Sequence, residues 1–94
     1  MEKIVITRHQ GLLEFLREEG LLDGSERVQA HASEEDVRGK HVIGVLPLHL
    51  AALAAQVTVV EMGHLPASER GRELSAEETR RWHSGIRTFR VTEV

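Results

Sequence analysis

Cysteine is absent from the chain, which removes disulfides, thiolate metal sites and cysteine nucleophiles together. Basic residues are not in excess: 12 Lys and Arg stand against 15 Asp and Glu, for a net charge of −3. Duplex nucleic acid is therefore a poor partner, because binding it usually takes a basic face. A short anionic ligand in one pocket is still allowed, since a pocket needs only local positive potential. Long apolar runs are missing too. The longest mostly apolar stretch, Val42 to Val60, is interrupted by Gly44, Pro47, His49 and Gln56, and reads as strand, helix and strand rather than as a membrane span. Glu2 and Lys3 lead into an apolar run too short for a signal peptide, so a cytoplasmic protein is expected. There is no glycine-rich dinucleotide fingerprint, no Walker loop and no serine-centred elbow. The six histidines fall at none of the zinc-helix spacings, and neither metal nor cofactor is expected.

What remains is a chain of 94 residues, 40% hydrophobic and 29% charged, which fits one folded domain over 1–94. A domain of this size leaves much of its surface wet, so dimerisation would help it. Lys3 to Thr7 is short, β-branched and apolar on both faces, the pattern of a strand between two layers. From Gln10 to Glu19 the period changes. Leu12, Leu13 and Leu16 share one helical face opposite Glu14, Arg17 and Glu18, and Gly20 supplies a stop. Arg27 to His31 reads as a second, less apolar strand at an edge, followed by a charged connection over 33–39. His41 to Leu46 is a third strand. Pro47 suits the start of a helix over Leu48 to Gln56, buried on most of its surface. Val57 to Met62 is a fourth strand, and Ser75 with Glu78 forms a capping box that opens a last helix through Trp82. Arg87 to Glu93 alternates as a final edge strand.

Strands alternating with helices predict βαβ units in an open, mainly parallel α/β sheet of four to five strands, Rossmann-like, with helices on both faces. Right-handed crossovers put the first strand in the centre, the second on one side, and the third and fourth on the other. The chain then reverses between strands 1 and 3, and ligands in such sheets bind at the carboxyl ends of the strands flanking that point. Thr7, Arg8 and His9 end the first of these strands; Leu46, Pro47 and His49 follow the other. Each end also opens a helix whose free N–H groups favour an anion. Arg8 offers a fork of donors to phosphate oxygens, Thr7 a hydroxyl, and the two histidines can donate or move protons. Taken alone, an Arg-His pair after a strand is a solvated loop, and a histidine on an apolar helix is a core or interface residue. It is their meeting at one crevice that predicts a phosphate site. Arg70 and Arg72, in the loop after strand 4, are either further cations for that crevice or a solvated charged loop.

Three segments, "VITRHQGLLEFLREEG", "GKHVIGVLPLHLAALAA" and "RGRELSAEE", together resemble the Csx-sixteen family of small CRISPR-associated proteins. That family carries "TRH-x-G" after its first strand, "GTLP-x-HLA" after the third and "RG-x-ELS" near the C-terminus. The motifs keep their order, and the likeness covers nearly the whole chain. Val45 departs from it, standing where threonine is usual, as does "EMGHL" before Pro66. The resemblance implies a Rossmann-like (CARF-like) ring nuclease of type III CRISPR systems, acting on cyclic oligoadenylate, chiefly cyclic tetra-adenylate. It also implies a homodimer with the ligand on its two-fold axis. Cleavage would need no metal: a ribose 2′-hydroxyl attacks the adjacent phosphate and leaves a 2′,3′-cyclic phosphate.

Under that resemblance Arg8, His9 and His49 become candidates for the chemistry. Thr7, Gln10, Gly11, Leu46, Pro47, Arg70, Gly71, Arg72, Glu73 and Ser75 become candidates for holding the substrate. With Trp82, Phe15 and Phe89 as the only aromatic residues, adenine would pack on aliphatic side chains such as Leu46. Two other readings compete: a sponge or sensor that binds the same cyclic nucleotide without cutting it, and a structural partner whose helix Leu48 to Gln56 is only a dimer face.

Overall fold

Ile4, Val5 and Ile6 alternate between the two faces of one strand, yet all three are buried, so the strand has to lie between two layers. In the computed structural model, which describes residues 1–94, that strand is β1 (Lys3–Ile6). It is followed by α1 (Gln10–Glu18), β2 (Arg27–Gln29), α2 (Glu34–Val37), β3 (His41–Gly44), α3 (Leu48–Ala51), β4 (Gln56–Glu61), a 3₁₀ turn at Ala67–Glu69, α4 (Ala76–Trp82) and β5 (Gly85–Phe89).

The sheet order is β2-β1-β3-β4-β5. β1 runs parallel to both β2 and β3, and β3 parallel to β4, while β5 closes the edge antiparallel to β4. The expected α/β architecture and the position of the switch between β1 and β3 are both present. Ile4, Ile6, Val42 and Val57 pack against Val37 of α2 and Leu50 and Ala51 of α3. On the other face Val5 and Ile43 meet Leu13 and Leu16 of α1. α4 lies against α1, with Arg80 over the Phe15 ring and paired to Glu18, and His83 tilted against the same ring. α1 ends in a Schellman arrangement: Gly20, at φ +76°, donates its N–H to the Arg17 carbonyl, and Leu21 donates to that of Leu16. A polar chain crosses the same face of the sheet. The buried Thr58 hydroxyl bonds His41 Nε2 at 2.6 Å and the Thr88 hydroxyl at 2.8 Å.

Strand bounds shift, β3 ending at Gly44 instead of Leu46 and the last strand lying at Gly85–Phe89 instead of Arg87 to Glu93, and two further expectations change. The charged connection at 33–39 contains α2, started by a capping box in which Ser33 and Asp36 bond each other reciprocally, and it delivers the fully buried Val37 to the core. The helix expected over Leu48 to Gln56 is the single turn α3, and Gln56 already belongs to β4. Its continuation is captured by the loop before β3: Leu53 accepts from Gly39 N–H, and Ala55 donates to the Lys40 carbonyl. The pairing of His41 with Gln56 then starts β4 at once. Leu48 and His49 are exposed, so α3 is not buried on most of its surface.

Candidate functional site

The carboxyl ends of β1 and β3 open into a cleft of about 390 Å³. At the end of β3, Gly44, at φ +144°, lies against β1: a Cβ there would stand 2.3 Å from the Ile6 carbonyl oxygen. Only glycine fits both the conformation and the space. The chain leaving β1 turns sharply, and the His9 N–H donates to Thr7 Oγ1 at 3.0 Å. This turn sets Thr7, Arg8 and His9 along the cleft wall, with His9 as the residue before the first turn of α1. The first N–H groups of α1 have no partner within the helix and face the same end of the sheet.

Arg8 is exposed at the cleft and makes no ion pair or side-chain hydrogen bond, so its five donors are unspent. Arg17, Arg70 and Arg90 are likewise without side-chain partners but line neither cleft at the switch point, whereas Arg27, Arg38, Arg72, Arg80, Arg81 and Arg87 are paired to carboxylates. Arg72 is the clearest case, with Nε to Glu69 and Nη2 to Glu78, each at 2.6 Å, and Nη1 to the Glu73 carbonyl at 3.1 Å. These contacts raise the Arg72 pKa, Glu78 contributing most and Glu69 next. In return the Arg72 guanidinium, helped by the Ser75 N–H, lowers the Glu78 carboxyl to about 2.

His9 is joined to the far end of the chain. Its Nδ1 lies 2.6 Å from Glu73 Oε1, bringing the TRHQG and RGRELS segments together at the cleft. A second cleft of about 240 Å³ lies beyond His9, Leu12, Val45 and Val60, which it shares with the first, and Met62, Leu74 and Arg72 add to its walls. Leu46 and Pro47 line an adjoining hollow together with Ile6 and His31.

The remaining candidates lie elsewhere or have other tasks. His49 is exposed on α3 and lines none of these clefts, and Gln10 is exposed at the first position of α1 outside them. Arg70 and Gly71 stand exposed on the loop before α4, Gly71 at φ +84°. Ser75 caps α4, its side chain accepting from the Glu78 N–H. Gly11 is buried against the Leu74 carbonyl. The sequence reading missed His31 and noted Val45 only as a departure from the family motif, yet both lie on the main cleft. His31 follows β2, and the rule that drew attention to the ends of β1 and β3 reaches it once β2 is placed beside β1. No three His, Asp or Glu side chains converge on one point.

The family model described as "Putative CRISPR-associated protein (Cas_VVA1548)" matches residues 4–92. The chain belongs to this family. No curated protein and no solved structure gives a significant match. The match spans the ends of β1 and β3 and the loop that carries Glu73. No helix is long and apolar enough to cross a membrane. Chemically, the cleft offers one unpaired guanidinium, an imidazole held by a carboxylate, and apolar walls on both sides of that imidazole. Such a set suits an anion joined to a flat, poorly charged group.

Proposed function

We propose that the protein is a ring nuclease of the Csx-sixteen type. It would open cyclic oligoadenylate, chiefly cyclic tetra-adenylate, and so switch off type III CRISPR signalling. The observation that carries this reading is the unpaired Arg8 beside the His9–Glu73 pair at the switch point of the sheet. Attack by a 2′-hydroxyl on its neighbouring phosphate chiefly needs the sugar held in line and the developing charge stabilised. Arg8 and the first N–H groups of α1 supply the charge stabilisation. His9, with Nδ1 on Glu73, has Nε2 free to take the hydroxyl proton or return one to the leaving oxygen. The new phosphorus–oxygen bond gives the 2′,3′-cyclic phosphate as the bond to the 5′-oxygen breaks, so no water or metal enters the balance.

A symmetric ring also explains how an acidic protein would hold RNA, since each subunit of a dimer need offer only one such cleft. Val45 is 78% exposed and Leu48 75% exposed at the cleft end of the sheet, and Phe89 and Val91 continue this apolar surface. A second copy covering it would bring two clefts close to one axis. The test is incubation with cyclic tetra-adenylate in EDTA, followed by chromatography, with light scattering on the same sample. Linear products with cyclic phosphate ends and a dimer mass are expected. Intact ring retained by the protein would instead establish the sponge or sensor reading, and no binding at all would end both.

A further inference from the structure

We infer that the RGRELS segment is a positioning arm for His9, in which Glu73 fixes the imidazole and Arg72 fixes Glu73. The contact is a hydrogen bond of 2.6 Å between His9 Nδ1 and Glu73 Oε1. A carboxylate only accepts, so Nδ1 carries the proton, and in the neutral ring Nε2 is then the nitrogen with the lone pair. The two side chains are 56% and 67% exposed, and an isolated pair so open to water would hold nothing firmly.

Glu73, however, is not isolated. The residue before it, Arg72, is spread across Glu69, Glu78 and the Glu73 carbonyl itself. The carbonyl of the residue after it, Leu74, is seated against the Cα of Gly11. Ser75 then caps α4 in a reciprocal box with Glu78. The Glu73 backbone is therefore held on both sides, and His9 is held by the N–H it gives to Thr7. With both ends fixed, the pair loses little freedom by forming. Arg72 and Ser75 thus spend their polar groups within the arm, which turns the segment from a set of ligand contacts into a support for one ring.

The cleavage part of the test rests on the ring-nuclease reading; the imidazole part does not. Nitrogen chemical shifts of His9 at alkaline pH report its tautomer directly. The wild type should show mainly the Nδ1–H form, and Glu73→Ala should return the ring to a mixture. Arg72→Lys should give an intermediate result, because an ammonium cannot span three acceptors in a plane. In single-turnover cleavage of cyclic tetra-adenylate, Glu73→Ala should slow the reaction up to about 10²-fold, the usual effect of a misplaced group, with ligand affinity unchanged. Amide spectra will confirm that each variant is folded. The inference is overturned if His9 has the same tautomer population in wild type and Glu73→Ala, or if that variant cuts at the wild-type rate. A wild type that leaves the ring intact overturns the proposed function, and the tautomer comparison then decides the pairing alone.

Discussion

Gly11 and Leu74 touch so closely that a Cβ on Gly11 would stand 1.8 Å from the Leu74 carbonyl oxygen. The obstacle is backbone, so no side chain can rotate out of its way. α1 meets the arm before α4 at this point, two residues after His9 and one residue after Glu73. The glycine is therefore explained by close approach between two segments, while the turn out of β1 is made earlier, at Thr7 and His9.

Gly11→Ala sets two effects against each other. Alanine favours a helix over glycine by about 1 kcal/mol. Overpacking costs about 1–3 kcal/mol and more where backbone must move, so destabilisation should win. Each kcal/mol lowers the melting temperature by roughly 4–8 °C in a domain of this size. Amide shifts of His9 and Glu73 should move as well. Gly20→Ala, which meets only open space but has a positive φ, should destabilise without disturbing them. A Gly11→Ala protein that melts like the wild type would refute the contact.

Local patterns made much of this architecture legible. The β-branched run at Lys3, the alternation of strands with helices and the handedness of crossovers were enough to order four strands. Ser75 and Glu78 announced α4 from three residues' spacing. Most of what failed depended on partners distant in sequence, α2 being the exception. "LHLAALAAQ" has the composition of a longer helix, and only the loop at Gly39 and Lys40, by bonding Leu53 and Ala55, ends it early. α2 hid because a single turn has no period and its box uses Asp36 in place of the commoner Glu or Gln. The His9–Glu73 pair joins residues that no periodicity relates. Family likeness selected both, His9 for the chemistry and Glu73 as a ligand contact, and the distance between them gives Glu73 its other meaning.

Acid should destabilise the fold through the arm. Glu78 is lowered to about 2 from an ordinary value of 4.5, chiefly by Arg72 and then by the Ser75 N–H. The folded state therefore binds fewer protons than the unfolded state across that range. This contribution is complete above about pH 4.5 and is lost as the pH falls toward 2. Asp36 is lowered by its bonds to Ser33 and acts in the same direction. Urea midpoints taken from pH 6 to pH 2.5 should fall with acid, and Glu78→Gln should be less stable at pH 6 with a flatter profile. An unchanged slope in that variant would show that the carboxylate carries none of the acid dependence.

Arg8, His9 and His49 should separate cleanly by their variants. Arg8 has no partner in the fold, so Arg8→Ala should leave stability almost unchanged. On the proposed function its loss would remove charged hydrogen bonds to phosphate, each about 1.5–3 kcal/mol, and binding of cyclic tetra-adenylate should weaken roughly ten- to a hundredfold. Cleavage should fall at least as far if the contact tightens as charge develops. His9→Ala should behave differently. Removing a general acid or base cuts the rate by about 10²–10⁴ while affinity stays nearly intact. His49 lies exposed and outside the clefts, so His49→Ala should alter neither quantity by more than about threefold, well below that range. Equilibrium binding and single-turnover cleavage on the three variants read these differences directly. A His9→Ala protein that cuts normally, or a His49→Ala protein that loses the rate instead, would move the chemistry from the end of β1 to the start of α3.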